Sequence, residues 1–149
     1  MVRQIYIHWG PNRDDHRRIL TGQDNDKGYQ FDVGTRNRPR KVWRIYSKWQ
    51  HGASHRGQRF RTVHFSNLRA KDALAGLMEL GDGSFGIPVD PPKNYQSHMV
   101  SETKREVKPG KWRWEKIKDH YRNDLWDTEV MGIVAATIAG VMRLDMVDD

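Results

Sequence analysis

Residues 122–142, Arg-Asn-Asp-Leu-Trp-Asp-Thr-Glu-Val-Met-Gly-Ile-Val-Ala-Ala-Thr-Ile-Ala-Gly-Val-Met, constrain the fold more than any other stretch of this chain. Asn123 suits an N-cap, and after it apolar side chains recur at Val130, Ile133, Val134, Ile138, Val141 and Met142. That three-and-four spacing turns one face of a helix toward a core. Asp127 leans toward the same side, because Met131 and Val134 follow it by four and seven residues. A lone carboxylate there is costly unless a divalent cation, an Arg or a Lys compensates it. Asp124, one turn earlier, reaches the same region. The alternative is that both acids simply complement the positive end of the helix dipole.

The chain of 149 residues is long enough for one domain with a core and too short for two of ordinary size. Charged residues make up 30% of it, so the core is modest, and six Trp and five Tyr either supply core mass or stack on bases. The net charge of +7 is unevenly spread: residues 1–66 hold 14 Lys/Arg against 5 Asp/Glu, whereas residues 67–149 are slightly acidic. The basic half is therefore the half expected to face a polyanion, and nucleic acid ranks above membrane because no basic amphipathic helix stands out. Absence of cysteine excludes disulfides and thiolate-zinc sites. The N-terminus lacks a signal-peptide apolar region, and no window reaches membrane-spanning length.

Taken in order, residues 3–9 alternate as a short strand with Ile5, Ile7 and Trp9 on one side. The charged segment 13–20 supports at most a marginal helix, and residues 21–28 read as a turn-rich loop. Asp24 and Asp26 there fail the EF-hand spacing, since Gly28 and Thr35 occupy positions that need oxygen ligands. Residues 34–48 are the densest basic run: a loop through Pro39, then a strand over 42–46. Arg36, Arg38, Arg40, Lys41 and Arg44, interleaved with Trp43, Tyr46 and Trp49, are the candidate DNA-backbone contacts, or else a solvated basic loop. His51 and His55 are a weak zinc pair, because the glycines around them oppose a helix.

A strand over 60–65 leads through Ser66 or Asn67 into a helix from Leu68 to about Leu80, with Lys71 on its outer side. Residues 85–89 read as an edge strand containing Pro88. A family resemblance carried by residues 122–131 implies a helix from Tyr95 through Glu102 and Lys104, after Pro91-Pro92, with Glu102 either a third acid near a site or a surface residue. Residues 112–117 alternate as a strand.

The run Arg-Asn-Asp-Leu-Trp-Asp-Thr-Glu-Val-Met followed by an Ala-rich helix resembles the C-terminal signature of the large terminase subunits of tailed bacteriophages, in the lambda-like branch. Asp26-Lys27-Gly28-Tyr29 is similar to a second acidic element of the same nuclease domain. Thr128 stands where the family often has Cys, and residues 3–9 hold no counterpart of the family's first-strand Asp. The ATPase module that precedes the nuclease in a full large terminase has no counterpart in these residues.

The resemblance implies one α/β domain over 1–149 with an RNase H-like mixed sheet flanked by helices, incomplete at 1–25, nuclease-like over 26–142 and ending in an acidic tail at 143–149. It implies a metal-dependent endonuclease in which Asp127 and Asp26 hold a pair of Mg²⁺ or Mn²⁺ ions and Asp124 assists. Lys71 joins the basic segment in holding double-stranded DNA. The implied partners are the phage portal and small terminase subunit, in the cytoplasm of a bacterial host. A non-catalytic nucleic-acid-binding or packaging-assembly domain, such as a prophage remnant on the same scaffold, is the alternative. A third reading is an unrelated basic α/β protein.

Overall fold

The computed structural model describes residues 6–7, 17–51, 60–81 and 83–144. Its centre is a mixed sheet in which β2 (Arg17–Gln23) and β6 (Phe60–Ser66) run parallel, Leu20 opposite Val63 and Gly22 opposite Phe65. β1 (Tyr6–Ile7) flanks β2 and β5 (Gln50–His51) flanks β6, both antiparallel. The charge of residues 17–23 hides the strand from local propensity. Leu20, completely buried beside Val63, supplies what propensity does not, about 1.5–3 kcal/mol for one such side chain.

The segment expected to be a loop through Pro39 is a hairpin instead, formed by β3 (Tyr29–Thr35) and β4 (Arg38–Arg44) with its turn at Arg36-Asn37. Pro39 is tolerated because this is a two-stranded ribbon, where an imino nitrogen can face away from the ladder. Opposite Pro39, Gly34 adopts a φ of 98°, and a side chain there would collide with the Arg38 carbonyl.

Three helices occur among the described residues. α1 (Asn67–Leu80) starts where Ser66 Oγ accepts the Arg69 amide at 3.2 Å, and ends at Gly81 in the left-handed region. α3 (Asp124–Ile138) buries Trp126, Val130, Met131, Ile133 and Val134. Its expected stripe runs out early: Gly140 turns left-handed, the Val141 amide folds back to Ala136 O at 3.0 Å, and Val141 is left 84% exposed. α2 (Tyr95–Met99) is a short helix packed on α3. The longer helix expected over 95–104 stops there, because residues from Glu102 onward pair as β7 (Glu102–Lys108) with β8 (Lys111–Lys116). Residues 85–89 form no strand, and Ile87 and Val89 are exposed.

The core joins Leu20, Val63 and Phe65 of the sheet to Ala70 and Leu74 of α1 and to the buried face of α3. Gln23 and Ser66 end β2 and β6 at the same level, so the chain leaving β2 passes the first turn of α1. Ser66 Oγ bonds the Asn25 carbonyl, and Arg69 Nε donates to the Asp26 carbonyl at 2.8 Å. The β7–β8 hairpin is held to the other side of α1 by Asp72, which accepts from Trp114 Nε1 and from Lys104 Nζ, each at 2.8 Å. The carboxyl ends of the parallel strands, the start of α1, the root of β7 and the first turns of α3 thus converge.

Candidate active site

Lys71 does not point outward from α1: it is buried, with Nζ 2.5 Å from Glu102 Oε2 and 3.3 Å from Asp127 Oδ1. Glu102 is the first residue of β7, and its side chain is only 4% exposed. Its second oxygen accepts from Asn123 Nδ2 at 2.5 Å. Asn123, the N-cap residue of α3, makes no side-chain cap; its carboxamide is turned to Glu102 instead. Asp127, one turn into α3, keeps 27% of its side chain in solvent.

Two acids share one ammonium, so the cluster carries one uncompensated negative charge in a partly desolvated place. Such a site attracts a further cation. Beside it lies a cleft of about 120 Å³ lined by Gly22, Asn67, Lys71 and Asp127. A side chain at Gly22 would collide with the Asn67 carboxamide, so glycine there keeps Asn67 at the cleft. A second hollow of about 260 Å³, lined by Asp24, Asn67, Lys71, Arg113 and Trp114, shares Asn67 and Lys71 with the first.

Of the residues expected to form the site, Asp127 is in it. Asp124 lies on the same first turn and pairs with Arg122 at 2.8 Å. Asp26 is exposed; its backbone carbonyl is bonded to Arg69, and no contact joins its side chain to Asp127 among the described residues. Asp24, two residues earlier, reaches toward the hairpin, ion-paired with Arg113 and with Lys111 at 3.8 Å.

Lys71, grouped with the DNA-backbone residues by sequence, stands between the acids instead. Arg36, Arg38, Arg40 and Lys41 are exposed on the β3–β4 hairpin, and the Arg44 guanidinium lies over Phe31, 4.6 Å from the ring centre. His55 lies outside the described residues, so the zinc pair is not described. No three His, Asp or Glu side chains gather as a metal cluster among the described residues.

Glu102 and Asn123 are the residues that the sequence undervalued. Asn123 reads as a cap from its position alone, although the Arg-Asn pair belongs to the signature. Glu102 reads as a helix surface acid because the strand beginning there is charged at almost every position.

Behind the cluster, Tyr95 donates its hydroxyl to Glu129 Oε1 at 3.1 Å, tying α2 to α3. Burial first, then this hydrogen bond and the negative charge of Glu129, push the Tyr95 hydroxyl up to about 12. His98, buried at the end of α2, accepts the Leu125 amide through Nδ1 at 3.2 Å and so satisfies a donor of α3's first turn.

The family model for the terminase large subunit gpA endonuclease domain matches residues 33–146. The chain belongs to that family. Lys71, Glu102, Asn123 and Asp127 all fall within the matched span, and Asp24 and Asp26 precede it. No curated protein and no solved structure matches the chain. Among the described residues, no helix is long and apolar enough to cross a membrane.

Proposed function

We propose that this domain is a DNA endonuclease of the phage-packaging type, hydrolysing phosphodiester bonds at the Glu102–Asp127 pair. The single observation that carries the reading is the sharing of one ammonium by these two carboxylates within the span that matches the terminase endonuclease family. Support for an RNase H-like fold is the mixed sheet whose parallel pair, β2 and β6, points its carboxyl ends toward the cluster.

The donor set fits a hard divalent cation: oxygen ligands only, a net negative charge, and a space between the carboxylates that already suits a cation. Glu102 and Asp127 would hold one such ion, Mg²⁺ or Mn²⁺. With Asp26 outside the cluster, a single ion suits the described residues better than a pair. A bound ion of this kind neutralises charge at the attacked phosphate and makes water a better nucleophile.

The chain's own residues do the rest. Asn123 fixes Glu102 by occupying one oxygen, leaving the other toward Lys71. Lys71 holds both acids close before DNA arrives, and its flexible stem lets the ammonium turn to a phosphate oxygen in the cleft. The half-exposed Asp127 is the carboxylate that a water in the cleft can reach. The cations of the β3–β4 hairpin hold the DNA backbone at a distance from the chemistry without reading sequence.

Incubation of supercoiled plasmid with the protein and Mn²⁺ tests this. Nicking by the wild type that disappears in Asp127→Asn and Glu102→Gln is the expected result. A second reading, a non-catalytic DNA-binding domain, is favoured by one fact: the Lys71 ammonium already occupies the space between the two carboxylates that a metal ion would take. DNA retention without nicking in any divalent metal would establish that reading in place of the first.

A further inference from the structure

The β7–β8 hairpin carries a charge arrangement that the fold itself does not use. Its register places Arg105 directly opposite Arg113 and, past an irregularity between Glu106 and Lys108, Lys108 opposite Lys111. Directly paired residues share a face of the ribbon, and Lys111 lies two residues from Arg113. The four cations therefore form two successive like-charge rungs on one side. Like charges directly opposed destabilise a sheet, so this stacking asks for a compensating anion.

The other face is already committed: Glu102 enters the acid cluster, Lys104 and Trp114 bind Asp72, and Lys104 Nζ lies 5.9 Å from the ring centre of half-exposed Trp112. The cationic face also carries Glu115, opposite Thr103 one rung nearer the root, but its one ion-paired carboxylate among the described residues is Asp24, which takes Arg113 and, at 3.8 Å, Lys111. Asp24 is itself 52% exposed and comes from the loop after β2. No described carboxylate pairs with Arg105 or Lys108. The tip, Lys108-Pro109-Gly110-Lys111, is kept tight by Gly110 at a φ of 74° and by the Gly110 amide bonding Glu106 Oε1 at 2.7 Å. At about 3.3 Å per residue, the rungs stand roughly 10 and 20 Å from Glu102.

We propose that this face is the docking surface for the phosphate backbone of duplex DNA next to the cleavage centre, and that Asp24 occupies it as a phosphate substitute until DNA displaces it. The inference rests on the nuclease reading for its choice of DNA as the polyanion. Glu102 itself belongs to the other face, and what joins the rungs to the acid cluster is the hollow lined by Asp24, Arg113, Asn67 and Lys71, through which a phosphate on Arg113 approaches Lys71. Arg113 exchanges one anion for another, and Arg105 and Lys108 gain partners they lack. Release of Asp24 also opens the hollow that Asn67 and Lys71 share with the cleft.

Binding of a short fluorescent duplex, measured by anisotropy in metal-free buffer over a range of salt concentrations, tests the surface without requiring catalysis. Lys111→Glu/Arg113→Glu is expected to weaken binding at least tenfold and to lower the slope of log affinity against log salt by about two, one per lost phosphate contact. Arg105→Gln/Lys108→Gln touches no described ion pair, so it tests the same face with the fold undisturbed, and a similar loss of slope is expected. Asp24→Asn is expected to bind several-fold tighter than wild type.

Unchanged affinity and slope in both double variants, with Mn²⁺-dependent nicking intact, overturns the docking surface and leaves the nuclease standing. Asp24→Asn binding no tighter than wild type overturns the substitute role. Hairpin-dependent binding with no nicking in any metal supports the surface and sinks the nuclease, and a wild type that neither binds nor nicks overturns both.

Discussion

The two hairpins of this domain have similar shape and opposite electrostatic logic. In β3–β4, Arg38 faces Thr35, Arg40 faces Val33, Lys41 faces Asp32 and Arg44 faces Tyr29, so no cation confronts another across the ladder. Arg44 is further absorbed by stacking on Phe31 and by donating to the Tyr46 hydroxyl at 2.9 Å. In β7–β8 the cations are diluted along the chain by Glu102, Glu106 and Glu115, yet the register gathers four of them into facing pairs. Charge density along a sequence and charge density on a surface are different quantities; only the second is felt by a polyanion. The hairpin that looks basic in sequence spreads its cations without a facing pair, and the one that looks mixed stacks four of its own into two facing pairs beside the candidate active site.

The sharpest way to break this contrast acts at the hairpin roots. Glu102→Gln, at the root of β7, keeps the shape and the bond from Asn123 but removes the charge beside Asp127. Nicking is expected to fall at least ~100-fold, the scale of losing a residue that supports transition-state charge. Asp32→Asn, the acid of the other hairpin, is expected to change nicking less than about twofold. Equal losses in the two variants would erase the distinction. Plasmid nicking in Mn²⁺, with thermal melts to confirm folding, gives the comparison.

Next in size is removal of matched charge. Arg105→Gln/Arg113→Gln is expected to reduce nicking at limiting DNA by about 10–100-fold, because two phosphate contacts next to the chemistry disappear. Arg38→Gln/Arg40→Gln is expected to cost only a few-fold, recovered at saturating DNA, as befits contacts that hold the backbone at a distance. A larger effect from the second pair would reverse the assignment of the two surfaces.

The contact between α2 and α3 just upstream of β7 supplies a pH test. The Tyr95 hydroxyl sits at about 12 in the folded protein against an ordinary value near 10, so the folded state holds this proton more tightly than the unfolded one. Its contribution is complete below pH 10 and is lost as pH rises from 10 through about 12, amounting to about 2 kcal/mol. Tyr95→Phe is expected to be less stable at neutral pH and to show a flatter decline over that window in urea titrations. A decline as steep as that of wild type would show that other groups, such as the lysines, account for it.

How far the sequence could be read follows from where each signal resides. α1 and the start of α3 were legible because their apolar spacing, with Ser66 before one and Asn123 before the other, is local. Asp127 stood out for the same reason: Met131 and Val134 place it against the core. β2 was not legible, since its charged residues owe their strand to Leu20 pairing beside Val63, more than forty residues along the chain. Glu102 is masked by the charged strand it begins, and helical spacing puts Lys71 on the outer side of α1 because the partners that draw it inward, Glu102 and Asp127, lie far downstream. Hairpin register is likewise invisible before folding, which is why the facing pairs of β7–β8 escaped a count that found residues 67–149 slightly acidic.

The smallest expected effect bears most directly on the comparison, because it has the opposite sign to ordinary damage. If Arg105 and Arg113 face each other at a cost to the fold, replacing Arg105 with Thr should stabilise the protein by about 0.5 kcal/mol, since it removes a like-charge rung and inserts a good strand former. The matching change in the other hairpin, Arg40→Thr opposite Val33, removes no repulsion and should fall within a few tenths of a kcal/mol of wild type. The gain should shrink as salt rises, because repulsion between exposed charges is screened. Urea unfolding at low and high ionic strength measures both differences. A destabilised Arg105→Thr at low salt would mean that the facing arginines are compensated within the folded protein beyond the Arg113–Asp24 pair, and an external polyanion on that face would lose its physical basis.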